Sequence, residues 1–135
     1  MKLIVCVDDA MGVAFAHRRQ SKDRVLRARL LAQLDGHRLF VTPYTAKQFE
    51  EGETGYTTHP EPQRAAGRED FVFAEDLDIA PAMAEVICLY RWNRKYPSDR
   101  KFDFVPVRDG FVLSSQTEFE GSSHDKITEE IYTRK

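Results

Sequence analysis

Apolar residues fall along this chain mostly in short β-branched runs, while Leu26, Leu30 and Leu34 repeat at helical spacing. "KLIVCV" (2–7) is such a run, bounded by Asp8 and Asp9, and it predicts a strand buried on both faces. Ser21 stands where an N-cap belongs, and helix-favouring residues continue to Asp35, where Gly36 ends them. Within that helix Leu26, Leu30 and Leu34 share one face, with Leu31 beside them. "RLFVTP" (38–43) predicts a second strand ended by Pro43. "TAKQ" (45–48) fits a capping box with Thr45 as the cap and Gln48 reaching back, so a short helix through Phe49 follows.

Residues 50–69 are polar and rich in Gly, Pro, Thr and Glu, which predicts a long exposed loop. Beyond it, "DFVFAED" (70–76) reads as a short strand, "DIAPAMAE" (78–85) as a turn or brief helix, "VICLYRW" (86–92) as a strand and "FDFVPV" (102–107) as a weaker one. "GFVLSSQTEFEG" (110–121) alternates, with Phe111, Leu113, Ser115, Thr117 and Phe119 on one side of a long strand. "KITEEIYTRK" (126–135) has two readings, because Ile127 and Ile131 suit a helix stripe as well as a strand face. "GSSHD" before it is either a hairpin loop or a helix start.

At 135 residues the chain suits a single domain, and its mixture of 41% hydrophobic and 31% charged residues is that of a soluble globular protein. Cys6 and Cys88 lie inside apolar runs without a metal or disulfide spacing, which points to core thiols in a reducing compartment. With no leader pattern and no long apolar run, a cytoplasmic protein that does not contact membranes is expected. Charge is uneven. Residues 17–29 hold Arg18, Arg19, Lys22, Arg24, Arg27 and Arg29 against Asp23, a surplus of five in a chain whose net charge is -2. Such a face attracts phosphates or polyanions, or is simply solvated.

Taken in order, these segments resemble a shortened dihydrofolate reductase. "VCVDDAMGVAF" resembles that family's first strand and glycine-containing loop, and "QSKDRVLRARLL" its first helix, with Asp23 at the position of the pterin-binding acid. "LFVTPYTAKQF" resembles the next strand and helix, with Thr45 at the family's threonine. "VICLYRWNRKYPSDRKFDFVPV" and the segment from Gly110 to the end resemble the closing strands and final hairpin. The resemblance implies an α/β fold: a mainly parallel mixed sheet flanked by helices, with an antiparallel C-terminal hairpin, so that 126–134 is a strand. It also implies a ligand pocket formed by Cys6, Asp8, Gly12, Asp23 and Thr45.

The likeness covers the two ends of the chain and has marked departures. The family's Gly-Arg-x-Thr phosphate turn is here Thr42-Pro43-Tyr44-Thr45, and its Gly-Gly turn has no counterpart, since no two of the seven glycines are adjacent. Glycine matters there because a side chain blocks close backbone approach to the phosphates. The family's Pro-Trp is replaced by His17-Arg18. The usual NADPH site is therefore absent from the pattern, and the cofactor is left unassigned. His17, His37, His59 and His124 are scattered without a zinc-hydrolase run, so no metal site is expected.

Asp23 is the sharpest candidate for catalysis. It falls toward the leucine side of its helix, where burial raises a carboxyl pKa and favours binding a protonated heterocycle or passing on a proton. Its alternative role is to oppose the helix dipole with Arg27, four residues on, as partner. Asp8 and Asp9 ligate Mg²⁺, begin an acid–base pair or, as is commoner after a strand, shape a turn, and Gly12 gives the loop backbone freedom. Arg18 and Arg19, beside His17, form a candidate anion site ahead of the helix. Thr45 is a cap or a ligand contact, and His124 an acid–base group or an ordinary loop residue. Tyr90, Trp92 and Tyr96 among Arg91, Arg94 and Lys95 read as packing. The functional reading is binding of a small heterocyclic or nucleotide-like ligand, with catalysis undecided. Its alternatives are a reductase with a rearranged cofactor site, and a nucleic-acid- or protein-binding module built on residues 17–29.

Overall fold

A short apolar run flanked by aspartates satisfies its backbone best by pairing on both edges. Lys2–Val7 (β1) does so in the computed structural model, which describes residues 1–135. The remaining strands are Gly12–Phe15 (β2), Arg18–Arg19 (β3), Leu39–Val41 (β4), Tyr56–Thr58 (β5), Phe71–Phe73 (β6), Val86–Arg91 (β7), Arg100–Lys101 (β8), Phe111–Phe119 (β9) and Ile127–Arg134 (β10). Helices are Arg24–Ala32 (α1), Pro43–Ala46 (α2), Pro62–Ala65 (α3) and Pro106–Asp109 (α4). Seven strands form one mixed sheet in the order β5-β4-β6-β1-β7-β10-β9. The first five run parallel, and β10 and β9 close it as an antiparallel hairpin. A small antiparallel sheet, β3-β2-β8, stands beside it. No helix is long and apolar enough to cross a membrane.

Strand alternation divides the core into two. Leu3, Val5 and Val7 of β1 pack with Ile87, Leu89 and Phe111 on one face. Ile4 packs on the other with Cys88, Tyr90 and the Leu26–Leu30–Leu34 stripe of α1. Each of those leucines contributes about 1.5–3 kcal/mol by burial, and together they position the start of α1.

Several local expectations are corrected. Asp23, not Ser21, caps α1: its Oδ1 accepts from the Leu26 N–H at 3.1 Å, and the helix ends at Ala32 rather than Asp35. Thr42, not Thr45, caps α2, because Pro43 fits the first helical position, where its missing N–H is not needed. Residues 50–69 are not one loop; they carry edge strand β5 and helix α3, and the strand reads as polar because Thr57 and Thr58 are exposed at the sheet margin. No strand spans 102–107, since Pro106 opens α4 and only Arg100–Lys101 pairs, with β2. A bulge lies where Leu113 pairs with Tyr132 and Ser115 with Ile131. The extra residue, Ser114, flips the alternation, so Phe111 and Phe119 enter opposite cores.

A candidate ligand cleft at the carboxyl end of the sheet

Parallel strands leave their carboxyl ends facing a crevice between the loops that follow them. Here β6 runs into Ala74, Glu75 and Asp76, while the β2–β3 hairpin folds over from the other side. Between them lies a cleft of about 440 Å³ of mixed charge, lined by His17, Arg18, Arg19 and Arg100 and by Glu75, Asp76 and Asp99, with Ala14 and Tyr44. An adjoining cleft of about 310 Å³, more apolar, is lined by Val5, Val13, Leu77, Ile79 and Phe102, and shares Glu75 and Arg100. The hairpin turn has positive φ at both central residues, Ala16 (51°) and His17 (62°), where glycine or asparagine is usual. That strained turn sets Arg18 and His17 on the rim.

Glu75 joins these concavities. Its carboxylate accepts from Arg19 Nε at 3.2 and 3.0 Å and from Gln48 Nε2 at 2.9 Å. Burial pushes its pKa up and outweighs Arg19, Thr45 and Gln48, which pull it down. Arg19 is itself anchored, with its guanidinium 4.4 Å above the Tyr44 ring and its backbone N–H donating to the Tyr44 hydroxyl at 2.7 Å. A third, small concavity beside Glu75 is lined by Cys6, Arg19, Gln20, Ser21 and Trp92. The Gln20 side chain is fixed, because Nε2 donates to Asp8 Oδ2 at 3.2 Å, yet its Oε1 is buried without a hydrogen-bond partner. Such an orphaned carbonyl calls for a donor.

The residues expected to form the pocket are brought to this end of the sheet but divide into distinct roles. Asp23 is buried and its carboxylate is saturated: Oδ1 accepts from Leu26 and Ser122 N–H groups at 3.1 and 3.0 Å. Oδ2 accepts from the Ser123 N–H at 2.8 Å and His124 Nδ1 at 3.0 Å. Burial pushes this carboxyl up, but His124 and the three backbone donors outweigh it and hold it well below the usual carboxylate range. The expectation of a raised pKa is thus overturned, and no acceptor site remains for a heterocycle. Arg27 does not pair with it; that guanidinium is buried against Glu53 at 3.0 Å.

Asp8 is likewise a loop organiser. Oδ1 accepts from Ala10 and Gly12 N–H groups, and Oδ2 from Gln20 Nε2 and the Tyr96 N–H. Its pKa is lowered because these donors overcome the opposing effect of burial. Gly12 serves packing rather than backbone freedom, since a Cβ there would lie 2.6 Å from Ser98 Cβ. Cys6 lines the small concavity, and its thiol is pushed well up by burial, then by Glu75 and Asp23. Thr45 is fully buried, with its hydroxyl toward Glu75 and Thr42.

The basic stretch is largely neutralised by acids from elsewhere in the fold. Arg19 faces Glu75, Arg27 faces Glu53 and Arg29 faces Glu129, each at 3.0 Å or less. Arg18 remains on the cleft rim. No three His, Cys, Asp or Glu side chains are grouped to hold a metal ion. Sequence reasoning missed Glu75 and the destination of His124. The only local signal for Glu75 was an acid directly after a buried strand. Compared with known proteins, the chain matches no family model and no curated protein.

Proposed function

We propose that this is a diverged dihydrofolate-reductase-like domain that binds a small heterocyclic or nucleotide-like ligand in the cleft around Glu75. The observation that carries this reading is the position of Glu75: a buried carboxyl lining all three concavities at the carboxyl end of the parallel strands. Its Oε2 accepts from Arg19 Nε alone, against two donors on each Asp23 oxygen, so with the unpartnered Gln20 Oε1 it offers acceptors to the N–H groups of an amino-substituted ring. Arg18 and His17 on the rim suit an anionic substituent, and Val13, Leu77 and Phe102 an apolar one. The mixed sheet order, with its antiparallel C-terminal hairpin, is compatible with the family resemblance. The ligand site nevertheless shifts from Asp23, whose acceptors are filled, to Glu75.

Trp92, the only tryptophan, lines the small concavity and reports on occupancy through its fluorescence. Titration with folates, nucleotides and reduced nicotinamide dinucleotides is expected to change that emission saturably for one class. The Glu75→Gln variant is expected to weaken the response at least tenfold. Equal affinity in wild type and variant contradicts the assignment.

A further inference from the structure

Ser21 and Asp23 are two residues apart, and His124 enters between them from the loop joining β9 to β10. The imidazole Nδ1 lies 3.0 Å from Asp23 Oδ2, and Nε2 lies 3.1 Å from Ser21 Oγ and 3.0 Å from the Tyr96 hydroxyl. A carboxylate only accepts, so Nδ1 carries a proton, and in the neutral imidazole Nε2 then presents its lone pair to the hydroxyls. Trp92 stacks on the ring with centroids 4.3 Å apart and planes 20° from parallel, which fixes its orientation. Asp23 is fixed in turn by its three backbone donors. His124 and Asp23 are buried, whereas Ser21 is half-buried and lines the small concavity that shares Glu75 with the larger clefts.

This is the relationship of nucleophile, base and orienting acid that activates a serine hydroxyl. We propose that Ser21 is an activated nucleophile and that the chain transfers small acyl groups from activated esters, with His124 as general base and Asp23 as its positioning residue. Ser21 Oγ attacks the ester carbonyl while its proton passes to His124 Nε2. Collapse of the tetrahedral adduct breaks the bond to the alkoxy group, which leaves as the alcohol with that proton. Water, deprotonated by the same nitrogen, then cleaves the acyl-serine and regenerates the hydroxyl. The concavity at Ser21 has a volume of only about 10 Å³, so the acyl and alkoxy groups extend from it into the adjoining clefts, which share Glu75 with it. Cys6 beside it is held as the thiol by burial and does not compete.

An alkyl fluorophosphonate tests this, since serine attack on phosphorus expels fluoride and leaves a stable adduct. Intact-mass analysis and peptide mapping of the full chain are expected to place one adduct on Ser21. Ser21→Ala is expected to abolish it, and His124→Gln to slow it at least about 100-fold. Tyr96→Phe removes the competing hydroxyl and is expected to label faster than wild type. Labelling of wild type is also expected to disappear when the protein is unfolded in urea. Failure of folded wild type to label at Ser21, or labelling that persists at the same rate in urea or in folded His124→Gln, overturns the proposal.

Discussion

Gly121 lies so close to Asp23 that a Cβ on residue 121 would sit 2.4 Å from the Asp23 Oδ2 oxygen. That approach lets the β9–β10 loop deliver Ser122, Ser123 and His124 to one carboxylate, tying the sheet's last hairpin to the start of α1.

Gly121→Ala is therefore expected to destabilise the fold by about 1–3 kcal/mol through overpacking, since the Asp23 carboxylate it meets is held by four hydrogen bonds and Ile127 Cδ1, 2.9 Å away, is packed in the core. Its backbone φ is outside the left-handed region, so the cost is steric. Urea denaturation of wild type and variant measures it; an unchanged midpoint contradicts this packing account.

Local patterns disclosed the elements better than their meetings. The β1 and β7 runs and the α1 leucine stripe are written in adjacent residues, and they form as expected. Asp23 was legible as an inward-facing acid, but its partner His124 is 101 residues away, and nothing near Asp23 announces it. Thr42 and Thr45 both suit a cap; the choice turns on Pro43, which is accommodated at the helix start. The Ser114 bulge is a property of two strands in register and leaves no mark in one strand's alternation. Glu75 likewise gains its setting from Arg19 and Gln48, which arrive from separate elements.

Acid should weaken the fold through Asp23 and Asp8. Their folded pKa values are depressed below the ordinary value of 3.8, so the stability they contribute is present above the unfolded pKa and is lost as pH falls through the folded values. Glu75 acts in the opposite sense: its raised pKa makes its contribution full below the unfolded value and lost as pH rises through the folded one. Asp23→Asn is expected to flatten the acid limb, and Glu75→Gln to leave that limb while raising stability at neutral pH relative to wild type. Urea midpoints across the range from about pH 2 to 7 test both signs.

Arg27 is 2% exposed and depends on Glu53, with the exposed Glu50 a second partner at 3.5 Å. Glu53→Ala leaves that guanidinium buried with weaker compensation and is expected to cost about 3 kcal/mol. A thermal melt that shows no loss would mean that Glu50 replaces it.

Arg19, Arg27 and Arg29 are engaged by acids, so the basic stretch presents far less free charge than its composition implies. Neutralising Arg18 and Arg24 together is expected to leave any polynucleotide affinity at physiological salt unchanged. A steep salt dependence that both substitutions abolish would instead establish a polyanion face.

The central claim concerns Glu75, and a thermal-shift titration of wild type against Glu75→Gln tests it most directly. With folates, nucleotides and reduced nicotinamide dinucleotides in turn, one class at a hundredfold excess over its Kd is expected to stabilise wild type by about 2.7 kcal/mol. The same ligand is expected to move the variant far less. No shift with any of the three classes, or an equal shift in both proteins, would contradict the account.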